Sequence, residues 1–128
     1  MRALALLPAL LIGTGSAEAQ DVAAGERVFG QCRACHQVGE SAKNGIGPYL
    51  NGMFGRKAGT VEGYTYSPAN KNADLTWDDA TFRDYIKGPR AKMPGTKMVY
   101  AGLKDEARVA ELTAYLKQFD SAGRRPAR

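Results

Sequence analysis

Cys32-Arg33-Ala34-Cys35-His36 is the stretch on which the reading of this chain turns. Two cysteines three places apart, with a histidine directly after the second, form the pattern at which haem is attached covalently. The two thiols can add across the haem's vinyl groups, and the imidazole can ligate the iron. Residues three and four apart share one face of a helical turn. Cys32 and Cys35 can therefore hold one edge of a flat macrocycle while His36, four places after Cys32, reaches the metal. These are the chain's only cysteines and its only histidine. Three other readings of the same residues are weaker. A structural disulfide is compatible with export. A thioredoxin-like dithiol needs a βαβ context that the sequence does not show. A structural zinc site takes four cysteine or histidine ligands, more than this chain contains.

Outward from the motif, residues Met1–Ala19 read as a secretory signal peptide. Arg2 supplies the positive start, Ala3–Ile12 is almost wholly apolar, and Ala17-Glu18-Ala19 predicts cleavage before Gln20. The apolar run is too short to span a bilayer. The expected product is a soluble protein exported to the periplasm. Cleavage would remove Arg2 and Glu18 together, so the net charge of +5 is unchanged. The remainder is one small domain, for which a buried haem would supply much of the apolar surface a core needs. A basic surface favours acidic partners, anionic membranes or nucleic acid. Basic residues are not interleaved with aromatics on one element, and no nucleic-acid motif is present. Docking to an acidic protein is the reading the charge favours over plain solubility.

Asp21–Gln31 reads as a helix running into the motif, with Asp21 as its cap and Val22, Gly25, Val28 and Phe29 at helical spacing. Residues 39–63 are rich in glycine and predict loop. Ser67-Pro68 opens a short helix towards Asn72. Thr76 is expected to cap a helix from Trp77 to Lys87, ended by Gly88-Pro89, and residues 90–102 are expected to be loop. Asp105–Phe119 reads as the last helix, with Val109, Leu112, Leu116 and Phe119 on one face and Tyr115 beside them. Ser121–Arg128 reads as a basic, flexible tail. No segment predicts a strand. Loops this long are unusual in a compact domain unless they pack against something large and rigid, which a haem is.

Iron held by His36 on one side has a second axial position. Methionine, lysine, water or an open site could fill it. Met53, Met93 and Met98 are the candidate thioethers, and spacing does not choose among them. A methionine is more often a core filler.

Separated motifs in a fixed order carry a resemblance across nearly all of residues 21–120. They are Gly47-Pro48-Tyr49-Leu50-Asn51-Gly52, Phe54-Gly55-Arg56-Lys57-Ala58-Gly59, Gly63-Tyr64-Thr65-Tyr66-Ser67-Pro68-Ala69-Asn70-Lys71, Leu75-Thr76-Trp77 and Met93-Pro94-Gly95-Thr96-Lys97-Met98. With the haem motif they resemble the class I c-type cytochromes, the group of mitochondrial cytochrome c and bacterial cytochrome c2. The resemblance implies an all-α fold of three to five helices and long loops wrapped around one covalently bound haem c, over residues 20–120. It implies that Met98 is the second axial ligand and that Met93 is a packing residue. Pro48 is similar to the proline whose carbonyl accepts a hydrogen bond from the axial histidine. Tyr85 resembles the tyrosine that hydrogen-bonds the methionine sulfur. Arg56, Tyr66 and Trp77 resemble residues at the haem propionates, and Asn70 and Thr96 are expected to join that polar network. Gly25 and Phe29 resemble first-helix residues that cross the last helix near Leu112 and Tyr115. The link from Phe29 to Cys32 is one residue shorter than in the mitochondrial proteins, so their docking residues near the first cysteine do not carry over.

The implied function is one-electron carriage. An iron with both axial positions filled offers no place for substrate, which argues against an enzyme. The implied partners are acidic docking surfaces of membrane redox complexes: a bc1-type donor, and an oxidase, reductase or photosynthetic reaction centre as acceptor. Contact with the membrane surface would be transient and the carrier monomeric. Lys43, Lys92, Lys97 and Lys104 are expected around the exposed haem edge. A peroxidase with an open distal site, or a binder of carbon monoxide or nitric oxide, are the readings of other classes. The complete distal motif disfavours both.

Overall fold

The computed structural model describes residues 8–13 and 17–127, with backbone alone for 17–20. Residues 1–7 and 14–16 of the expected leader lie outside the described residues. Among the described residues five α-helices follow one another: α1 Ala17–Phe29, α2 Pro68–Lys71, α3 Asp79–Ile86, α4 Pro89–Lys92 and α5 Glu106–Leu116. Among the described residues the single β-type pairing is an isolated bridge between Lys57 and Thr76. The fold is all-α, as expected.

α1 begins four residues ahead of the expected cap at Asp21. Ala17-Glu18-Ala19-Gln20 are all good helix formers, and nothing in them stops the helix from extending backwards. At its other end the shortened link Gly30–Cys32 is wound as a 3₁₀ turn. The backbone amides of Cys35 and His36 then both donate to the carbonyl of Cys32, at 3.1 and 2.9 Å. The haem motif is thus a tight continuation of α1.

α1 crosses α5, and the crossing depends on Gly25. A Cβ there would collide with the carbonyl oxygen of Glu111 and lie 2.7 Å from Tyr115 Cβ, so only glycine lets the two backbones approach. Phe29 packs on Tyr115 with ring centroids 5.5 Å apart, and Phe29 and Leu112 are fully buried. Val109, Leu112, Tyr115 and Leu116 form the buried face of α5. Asp105 caps α5 by accepting from the Arg108 amide at 3.1 Å.

Ser67 caps α2 and Pro68 stands in its first turn, as expected. α3 differs from expectation at its start. Its cap is Asp78, which accepts from Thr81 N at 2.7 Å. Thr76 is committed to extended pairing with Lys57 and cannot turn into the helix. α4 was not expected, since Gly88-Pro89 reads as a stop. Proline at the first position of a helix forfeits no intrahelical hydrogen bond, so Pro89 ends one helix and opens the next.

The segment after α5, expected to be a tail, makes definite contacts as far as Arg125. The Asp120 carboxylate accepts from the amides of Ala122 and Arg124, both at 2.9 Å. The guanidinium of Arg125 lies over the rings of Phe119 and Tyr115. Gly123 is buried. One carboxylate collects two backbone donors, and two aromatic faces attract the cation.

Candidate functional site

A cavity of 370 Å³ opens in the middle of this framework. Every residue expected at the site lines it: Cys32, Cys35, His36, Pro48, Arg56, Tyr66, Asn70, Trp77, Tyr85, Thr96 and Met98. They come from α1's continuation, from α2 and α3, and from the loops between the helices, far apart in sequence. Phe82 and Ile86 of α3 and Leu112 and Leu116 of α5 supply apolar wall.

On one side of the cavity stands His36. Its Nδ1 donates to the carbonyl oxygen of Pro48 at 2.7 Å. A carbonyl can only accept, so the proton sits on Nδ1 and the lone pair is on Nε2. Burial holds the imidazole below its ordinary pKa, opposed by the Pro48 hydrogen bond, which favours the neutral, ligating form. The two thiols are free and half-buried. Burial, followed by the neighbouring Cys35, pushes the Cys32 thiol up to about 11.

The other side carries Met98. The hydroxyl of Tyr85 donates to its sulfur at 3.2 Å. Thr96 is found here too, its Oγ1 accepting from the Met98 amide at 3.3 Å. Burial raises the Tyr85 phenol, and a hydrogen bond with Thr96 opposes it. Thr96 thus lies beside Met98 and Tyr85 while lining the same cavity as Arg56, Tyr66 and Trp77. The turn that brings its amide-bonded neighbour Met98 inward carries Thr96 with it. Met53 lines the wall but is only 6% exposed, within the core cluster, and Met93 is 5% exposed and off the cavity.

The polar end is organised by backbone pairing. Gly55 N donates to Trp77 O at 2.7 Å and Trp77 N to Arg56 O at 2.9 Å, which sets Arg56 beside Trp77. Arg56 donates to Asn51 O at 2.7 Å, and burial lowers its guanidinium somewhat. Tyr66 accepts from Val61 N at 3.0 Å, and Trp77 packs edge-on against Tyr85. The side-chain oxygen of Asn70 is buried with no partner among the described residues.

Several contacts that shape the site were not legible in the sequence. A Cβ on Gly47 would lie 2.5 Å from His36 Cε1 and 2.8 Å from Nδ1, so the glycine makes room for the imidazole. The Tyr64 hydroxyl donates to Ile46 O at 2.8 Å and Asn44 Nδ2 to Glu62 O at 2.9 Å. These two bonds tie the loop bearing Pro48 to the loop bearing Tyr66. Ile46 and Val99 line the cavity yet are 77% and 80% exposed. Only a three-dimensional view reveals such pairs.

The donor set fits a covalently held haem. Thiols, a neutral imidazole with a free Nε2, a thioether and an apolar wall surround one space. At its polar end are a cation, phenol groups and the orphaned oxygen of Asn70. Such a buried polar atom calls for a partner.

A helical shell closed around a cavity with two thiols, an imidazole and a thioether defines a c-type haem protein. Residues 22–120 match the Cytochrome c family. The chain is 55% identical over 114 residues to cytochrome c2 of Blastochloris viridis, covering 89% of this chain and 90% of the relative. It is 56% identical over 104 residues to cytochrome c-550 of Nitrobacter winogradskyi, covering 81% and 95%. Among solved structures, cytochrome cH from Methylobacterium extorquens matches with a TM-score of 0.72 and 47% identity, over 76% of this chain and 97% of that one. The chain belongs to the cytochrome c family, as a class I c-type cytochrome. It carries covalent haem c and acts as a monohaem electron carrier. No helix among the described residues is long and apolar enough to cross a membrane.

Proposed function

We propose that the chain ligates its haem iron through His36 Nε2 and the Met98 sulfur, and shuttles single electrons between membrane redox complexes in the periplasm. One observation carries the ligand assignment: imidazole and thioether line the same cavity, and each is held by a hydrogen bond of its own, the imidazole donating to Pro48 O and the thioether accepting from Tyr85 Oη. The haem, when bound, supplies a one-electron couple. The residues do the rest. The Pro48 carbonyl orients His36 and strengthens it as a donor. Tyr85 aims the Met98 lone pair into the cavity, and soft sulfur favours the reduced metal. Cys32 and Cys35 anchor the macrocycle, and Arg56, Tyr66, Trp77 and Asn70 hold its charged edge. Ligation by both His36 and Met98 would leave a substrate no place at the iron, which supports carriage over catalysis.

The exposed Ile46 and Val99 flank the cavity, and Lys43, Lys92, Lys97 and Lys104 are all exposed. Lys97 lines the cavity and sits over the Tyr64 ring at 4.9 Å. An apolar contact patch with cations near it suits brief docking on an acidic surface, where charge sets the on-rate. A bc1-type donor and an oxidase, reductase or reaction-centre acceptor are the partners of this kind. The leader reading of residues 1–19 places the carrier in the periplasm, and a mature protein beginning at Gln20 is its direct check.

The deciding experiment is Met98→Ala in the mature holoprotein, followed by visible spectra and redox titration. The expected result is loss of the sulfur-to-iron absorption band, high-spin ferric iron and a lower reduction potential. An unchanged spectrum would remove Met98 from the site.

A further inference from the structure

The residues after α5 are folded against the loop that carries Pro48. Asn51, only 5% exposed, closes that loop with a two-way clasp: Gly39 N donates to its Oδ1 and its Nδ2 donates to Gly39 O, both at 2.9 Å. Gly123 lies flat on the clasp. A Cβ there would collide with Gly39 O and sit 2.7 Å from Asn51 Nδ2. Beside it, a Cβ on Gly52 would sit 2.8 Å from Ser121 Cα, while Gly52 N donates to Phe119 O at 3.1 Å. The segment holds its own shape. Asp120 N donates to Arg124 O, Gly123 N donates to Asp120 O, and one carboxylate oxygen of Asp120 takes both the Ala122 and Arg124 amides. Arg125 anchors it over Phe119 and Tyr115, at 5.2 and 5.7 Å from the ring centroids. Tyr115 also accepts from Arg33, inside the haem motif, at 3.4 Å.

We propose that Asp120–Arg125 is a positioning latch for the histidine side of the haem, holding the Gly39–Asn51 clasp shut and, through it, the Pro48 carbonyl that orients His36. The inference rests on His36 being the axial ligand. Asp120, Gly123 and Arg125 touch neither ligand nor cavity, and they act through the clasp. With the latch open, the loop breathes more often and the Pro48 acceptor is less well placed. His36 becomes a weaker donor, and the reduced iron is relatively favoured, so the potential rises.

The test uses mature holoprotein with Asp120→Ala, Gly123→Ala and Asp120→Asn. The amide of asparagine keeps the acceptor oxygen that serves both backbone donors. Hydrogen exchange is followed at the Gly39 amide, at His36 Nδ1–H and at the Met93 amide, which donates to Pro89 O away from the latch. The expected result for the first two variants is about tenfold faster exchange at Gly39 and His36, with Met93 unchanged, and a higher reduction potential. Asp120→Asn should behave as wild type. Exchange and potential both unaltered would overturn the proposal, and so would equal acceleration at all three positions, which would signal general destabilisation. Where neither variant matures, Arg125→Ala serves, with the same pattern expected at smaller amplitude and its absence overturning the latch. If wild-type His36 shows no iron-ligated signature, the ligand assignment fails by itself, and the Gly39 amide still reports whether the latch holds the clasp.

Discussion

At the scale of single residues, the site is governed by how little room surrounds the imidazole. Gly47 stands against the His36 ring, and a methyl group there must displace ring or loop. Gly47→Ala is expected to cost about 1–3 kcal/mol of stability, the usual range for overpacking. It should also weaken histidine ligation, visible as a shifted reduction potential and a changed Soret band. Tyr85→Phe is milder. It removes the hydroxyl that donates to Met98 Sδ while leaving the ring packed on Trp77. Easier displacement of Met98 by added imidazole or cyanide is the expected outcome, measured as a several-fold larger binding constant. The candidate ligands and Pro48 stand in short contiguous motifs of the family resemblance, whereas Tyr85 stands outside every one of them. The placement of Thr96 could not be read from its motif. Which side of a cavity a hydroxyl faces depends on the turn between Met93 and Met98, and residue type leaves that open.

At the scale of helices, caps and crossings decide. Asp105→Ala removes the acceptor for the Arg108 amide and should lower stability by about 1 kcal/mol, read from denaturant midpoints. Asp78 offers a pH test of the same device. The Thr81 backbone amide, with its hydroxyl, holds the Asp78 carboxyl below its ordinary 3.8. A carboxyl depressed in the folded state stabilises fully above its unfolded pKa, and that contribution is lost as pH falls through the folded value. The melting-temperature gap between wild type and Asp78→Ala should therefore be constant above about pH 5 and shrink on acidification below the ordinary carboxyl range. Helical periodicity made α1 and α5 legible, since each buries one regular face. It failed at Thr76 and at α4. Thr76 and Asp78 are both good caps, and the choice between them is made by the distant pairing with Lys57. Pro89 is equally a stop and a start, and the four-residue α4 has too few positions to show a period.

At the scale of the whole molecule, the net charge of +5 and the exposed lysines predict steering by long-range attraction. The rate of electron transfer to an acidic partner complex should fall steeply as ionic strength rises, since screening shortens the reach of exposed charges to about 10 Å at 0.1 M salt. Stopped-flow rates that stay level from low to high salt would exclude electrostatic docking. Loops occupy most of the chain between α1 and α3, and they are held by pairings within and between them: Tyr64 with Ile46, Asn44 with Glu62, Asn51 with Gly39. Chain order alone was enough to identify the haem chemistry, the candidate ligands, the all-α class and the contact of first helix with last. The haem chemistry and the helices follow from local spacing and apolar periodicity, while Met98 as candidate ligand and the contact of first helix with last follow from the family resemblance that the separated motifs carry. Folding in three dimensions decided which loop clasps which, where Thr96 faces, and that the last residues return to cover Asn51. Such pairings join positions far apart in the chain, have no periodicity, and are selected only when packing leaves each buried polar group one partner within reach.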